Sequence, residues 1–236
     1  MLDAAFAQFD KPNGLHRLGI TLHVYADTWA HQEFAGVLHE INEVDNAQEL
    51  GDTGVFDDLG TFLFSKLNDA IPPLGHGRAN IFPDMPFLKW QYENGQNVTV
   101  ARDNTQIFCD AADALCKAMQ RFKNISNPGG INAADLSVMR GLFNNLAFEE
   151  ADRRHAGWLG AIAAGKFSFG KATISYDPVG RNSWKAQSLG TSRDLPVHTY
   201  KPEFLDSNWR KFHDALQQHR LAVLHDILPK YGICAG

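Results

Sequence analysis

The stretch Leu22-His23-Val24-Tyr25-Ala26-Asp27-Thr28-Trp29-Ala30-His31 sets His23, Asp27 and His31 four residues apart, twice in succession. On a helix of about 3.6 residues per turn such side chains rise along one face. Beside them Leu15, Leu18, Leu22, Tyr25, Ala26 and Trp29 recur at helical spacing, after the turn signal Asn13-Gly14. The spacing predicts an amphipathic helix from about residue 15 to 31. Two imidazoles and a carboxylate in one row offer neutral nitrogen and anionic oxygen donors, which suit a divalent transition metal such as zinc. The row reads as half of a metal site.

Working outward, Leu59, Phe62, Leu63, Leu67 and Ile71 continue the helical pattern from Val55 to Ala70, and Pro72-Pro73 end it. The Gly- and Pro-rich run from Gly75 to Pro86 is a loop carrying His76 and Asp84. Asp103 or Asn104 can cap a helix to about Phe122, and Asn132 the next, with a continuation or kink near Phe148 towards Trp158 and Ile162. Residues 166 to 204 lack helical periodicity and predict a long irregular excursion, with a short hairpin around Thr173 to Tyr176. Ser207 to Lys230 predicts a closing helix. The expected fold is mainly α: one domain over 1–236, a bundle of five or six helices with little or no sheet.

The chain has 236 residues, 44% hydrophobic and 21% charged, enough for a substantial core. A net charge of -5 supplies no general basic field, which argues against duplex nucleic acid as a partner. Cys109, Cys116 and Cys234 show no CxxC spacing; the first two read as small apolar fillers. No basic leader and no apolar run near 18 residues occurs, so the expectation is a soluble, cytoplasmic protein without a transmembrane segment; the oligomeric state stays open.

The run from Leu15 to Gln32, with Leu74-Gly75-His76-Gly77 and Pro83-Asp84, resembles an uncharacterised bacterial family. That family is in turn remotely similar to the helical zinc-dependent phospholipase C and single-strand nuclease superfamily. The resemblance implies metal ligands at His23, Asp27, His31, His76 and Asp84, with Asp27 bridging ions or acting on a water. Where the superfamily places His-x3-Glu, this chain has Asn80 four residues after His76 and Asp84 eight after it. Relatives also draw ligands from a segment ahead of the first ligand helix, so a smaller site or a shortened chain is expected here. Arg78 is the candidate for a substrate phosphate, and Trp29 and Trp90 for its apolar or aromatic part.

The expectation is a metal-dependent hydrolase of phosphodiesters, acting on a phospholipid head group or nucleotide-like ester through a metal-activated water. The alternative is a non-catalytic helical module in which a metal or His/Asp network is structural and the surface binds a partner. A di-iron oxygen-activating centre is disfavoured because its Glu-x-x-His pairs are missing.

Overall fold

Asn13 and Gly14 start the helix that carries the His/Asp row, and Gly14 is required there by close packing. A Cβ at this position would lie 2.4 Å from the Gln8 carbonyl oxygen and 3.0 Å from that of Phe9. The computed structural model describes residues 1–51, 53–55 and 72–233. Its helices are α1 (Leu2–Phe6), α2 (Gly14–Ala30), α3 (Asn104–Phe122), α4 (Ala133–Asn145), α5 (Ala151–Ala163), α6 (Trp184–Leu189) and α7 (Asn208–Leu221). The helix expected from Val55 to Ala70 falls almost wholly outside the described residues. The fold is mainly α, and no described helix is long and apolar enough to cross a membrane.

Contacts divide the chain into two compact units, where the sequence predicts one domain. The first comprises Met1–Tyr25, Ala118–Asn127 and Ile174–Gly236. Within it Ser207 caps α7 by accepting from the Arg210 N–H at 3.2 Å, and a π-helical turn, Ala222–Ile227, prolongs the helix. Asn13 donates to Gln218 at 3.2 Å. Arg17, only 1% exposed, donates to the Ala215 carbonyl at 3.4 Å. The excursion from 166 to 204 is largely irregular, as its composition predicts, but it contains α6, capped by Ser183 and closed by left-handed Gly190. No strand forms at 173–176, which corrects the expected hairpin there. This segment has turn residues without a second alternating run to pair with.

Two outcomes follow for this unit. Gly14→Ala forces the α2 start away from the Gln8 carbonyl, and a loss of about 1–3 kcal/mol is expected by urea denaturation, with little change at Gly19→Ala, where a Cβ meets nothing within 4 Å. Burial, then Arg17 and the N-terminal amine, lower the His219 pKa; burial and Lys211 lower that of His16 against an opposing hydrogen bond to Asn208. The unfolded chain therefore takes up these protons near pH 6.5 while the folded chain does so only at lower pH. Stability from these groups is constant above about pH 6.5 and falls as acid is added, until the folded values are passed. Urea midpoints between pH 7.5 and 5 should show a slope that His219→Leu reduces.

The second unit comprises Ala26–Lys117 and Pro128–Thr173. A small three-stranded antiparallel sheet of order β1 (Asp45–Glu49), β2 (Lys89–Glu93) and β3 (Thr99–Asp103) lies here, which roughly fits the expectation of little or no sheet. Its signal is Lys89-Trp90-Gln91-Tyr92-Glu93, whose alternate residues are buried, followed by Asn94-Gly95-Gln96-Asn97 as a turn. Asn94 accepts from the N–H groups of Gln96 and Val98 at 3.0 and 3.1 Å, while Asn97 takes a left-handed φ of 57°. Trp90 faces Arg102 in the register, and Tyr92 faces Val100. Trp90, Tyr92, Phe82, Met85 and Leu88 form the centre of a core to which the 79–88 segment contributes as much as the sheet. Asp103 accepts from the Gln106 N–H at the start of α3, and Asn132 from the Asp135 N–H at the start of α4.

Candidate metal centre

His31 stands one residue beyond α2, at the end of the helix, and two short 3-10 turns, Gly77–Ala79 and Phe82–Asp84, bring His76 and Asp84 to it. His31 Nε2 lies 3.1 Å from Asp84 Oδ1, and the His31 and His76 rings stack with centroids 4.0 Å apart and planes 12° apart. One donor atom from each of His31, His76 and Asp84 falls within 4.8 Å of the others. Both imidazoles are partly buried, while Asp84 is half exposed.

The tautomer of His76 follows from its neighbour. Its Nδ1 lies 2.9 Å from the Asn80 carbonyl oxygen, which can only accept, so Nδ1 carries the proton and Nε2 presents its lone pair in the neutral ring. Asn80 reaches this pose at φ 52° and ψ -127°, outside the left-handed helical well that asparagine tolerates, so the turn that orients His76 holds a strained backbone. At the position where a glutamate ligand is expected, a backbone carbonyl orients the histidine instead.

Three buried polar side chains, of which sequence reasoning named Asn104 alone and as a possible helix cap, hold the three segments in place. Asn42 accepts from the Ala35 N–H at 2.7 Å and donates to the carbonyls of Ala35, Val37 and Pro73 at 2.8–3.0 Å, joining the chain after His31 to the chain before His76. Asn104 donates to the Phe82 and Met85 carbonyls at 2.7 and 2.8 Å, fixing the turn that carries Asp84, and accepts from the Trp90 indole at 3.3 Å. Arg102, 4% exposed, donates to the Ala30 and Gln32 carbonyls at 2.5 and 2.6 Å, on either side of His31. Carbonyls at a helix C-terminus lack helical partners, and a guanidinium satisfies them well. A buried asparagine or arginine surrounded by backbone leaves no periodic signal. Only its setting beside apolar runs hints at it.

Several expected site residues stand elsewhere. His23 is exposed and, eight residues before His31, is displaced by about 12 Å along α2, too far to share an ion with it. Asp27 lines a cavity that Asp84 also lines, together with Trp29. Arg78 is committed to an ion pair with Glu43 rather than offered to a ligand. Trp90 is fully buried beneath the sheet, stacked on Tyr92 and edge-on to Phe82, which corrects the expectation that it contacts substrate. His39 accepts from the Ile41 N–H as a cap.

Electrostatically, Asp84 has arginine company. Burial pulls the Arg102 and Arg154 guanidiniums below their usual values, and the Asp84 carboxylate opposes that pull on both. Arg154 donates through Nη1 to the Phe148 and Glu149 carbonyls at 2.5 and 2.6 Å. The donors at the cluster are therefore two neutral-capable imidazoles and one carboxylate, a set that matches zinc or a related ion and leaves one side exposed.

Such a cluster on a mainly helical frame defines a candidate metal-binding protein. Residues 1–227 match the model of the family described as "Family of unknown function (DUF6765)", and the chain belongs to that family. No curated protein and no solved structure matches it.

Proposed function

We propose that this protein is a metal-dependent hydrolase of phosphodiesters, with His31, His76 and Asp84 as the ligands of a divalent ion, zinc by donor type. The observation that carries this reading is the convergence of three donor atoms within 4.8 Å, with the Asn80 carbonyl holding His76 Nδ1 and so leaving Nε2 as the lone-pair nitrogen of the neutral ring. Three protein donors with one exposed side suit catalysis better than a staple, since structural zinc sites are closed by four protein ligands.

A bound ion supplies a water that ionises near neutral pH and a positive charge for phosphoryl oxygens. The chain's own residues supply the rest. Asp27, on the wall of the cavity that Asp84 shares, orients the attacking water and accepts its proton. That proton then passes to the leaving oxygen as the P–O bond breaks, giving a phosphomonoester and an alcohol. Arg154 adds a cationic field for the phosphate near Asp84.

Zinc-loaded protein is expected to hydrolyse bis(p-nitrophenyl) phosphate, and Asp27→Asn to lower kcat by about 10²–10³-fold while zinc affinity stays within a few-fold. Zinc bound at one equivalent without hydrolysis, together with a large rise in Tm on loading, would instead establish the structural-metal alternative.

A further inference from the structure

Beside the candidate metal cluster lies a cavity of about 270 Å³ whose lining is mostly apolar. Trp29 and Ala30 of α2, Phe108, Ala112 and Leu115 of α3, and Phe143 of α4 form it, and its polar residues are the carboxylates Asp27 and Asp84. Asp84 is thus shared between the cavity and the metal cluster. A well-packed interior fills such space with side chains, because each unfilled volume forfeits contacts. Here two alanines, Ala111 and Ala112, face the cavity from successive positions of α3 and leave it unfilled. Water gains little in such a lining, whereas an alkyl or aryl group gains both contact and desolvation.

We propose that this cavity takes the apolar arm of an anionic phosphoester whose phosphate sits at the His31–His76–Asp84 cluster. This assignment rests on the metal-centre reading above and adds the substrate class, an amphiphile with a short chain or single ring rather than a bare sugar phosphate. At roughly 30 Å³ per heavy atom, the volume a water takes in liquid, the cavity holds about nine atoms. The chain enters past Asp84 and ends against Phe108 and Phe143.

The test is a binding series of n-alkyl phosphates, from methyl to decyl, titrated calorimetrically into the full chain after zinc uptake has been measured in the same cell. Affinity is expected to rise about three- to four-fold per methylene up to about eight carbons and then level off. Ala112→Trp should flatten the series with zinc affinity unchanged. Phe108→Ala should move the levelling point to a longer chain, and it serves alone if the tryptophan variant does not fold. A wild-type series that is flat despite bound zinc overturns the assignment, as does a slope identical in wild type and both variants. Failure to take up zinc overturns the metal centre instead, a separate result read before any phosphate is added.

Discussion

His76→Ala is expected to abolish measurable zinc binding, weakening it by more than about a hundredfold. Changes to groups that merely orient a ligand already cost about 10–100-fold, and here the ligand itself is lost. The wild-type chain should bind one equivalent, and at a hundredfold excess of free zinc over Kd the bound ion stabilises the fold by about 2.7 kcal/mol. Tm should therefore rise with zinc in the wild type and stay fixed in His76→Ala. His31→Ala and Asp84→Asn should behave alike, whereas His23→Ala should leave both readouts unchanged, because His23 lies two turns away on α2. Equal zinc affinity in wild type and all three cluster variants would overturn the centre. The discriminating power lies in the contrast between His23 and His31, which the sequence row alone treats as equivalent.

Arg102→Met is expected to be the most destabilising single change in the second unit, at about 3–5 kcal/mol. The substitution keeps most of the side-chain volume, so little of the loss is a cavity. What disappears is a pair of charge-assisted hydrogen bonds at 2.5 and 2.6 Å, leaving the Ala30 and Gln32 carbonyls unsatisfied. The guanidinium also lies 5.9 Å from the centroids of the Phe34 and Trp90 rings. Arg102→Lys should recover little, since one ammonium cannot span two carbonyls as a planar fork does. Urea denaturation measures the loss, and a zinc titration of the same variant should show weakened binding because His31 lies between the two released carbonyls. A loss under about 1 kcal/mol would mean that the carbonyls find other donors and that Arg102 does not hold the end of α2.

The helices and the three clustered donor residues were more legible in the sequence than the frame that joins them. Apolar spacing gives α2 and α3 to within a residue or two, because burial on one face is written directly in a 3.6-residue period. It gives the closing helix from its start, though α7 ends at Leu221 and a π-helical and a 3-10 turn take the chain on to Tyr231. Histidine and aspartate stand out among the Gly and Pro of the 75–86 loop, but their pairing with His31 comes from the resemblance carried by Leu74-Gly75-His76-Gly77 and Pro83-Asp84. The sheet was not legible, since its strands are only five residues each and β1, Asp45-Asn46-Ala47-Gln48-Glu49, has no strand composition at all. It forms because Leu50 and its neighbours pair with the Lys89 strand, a tertiary effect. The row His23-Asp27-His31 misled for a related reason: period shows which side chains share a face, but only tertiary packing shows how much of that face a second segment reaches.

The asparagine clamp has an evolutionary consequence. Asn42 bonds main-chain atoms of residues 35, 37 and 73, and Asn104 the main chain of residues 82 and 85, so the side chains at 35, 37 and 73, none of them buried, can drift without breaking these bonds, while Phe82 and Met85 stay fixed by the core. Divergent copies of this fold could differ at residues 35, 37 and 73 and still present the same three donors, provided the two amides and the buried core residues of the loop persist. The converse is a narrow vulnerability. Spontaneous deamidation of Asn42 would replace three donated bonds with a carboxylate facing three carbonyls, so ageing of a single amide would undo what many substitutions around it leave intact.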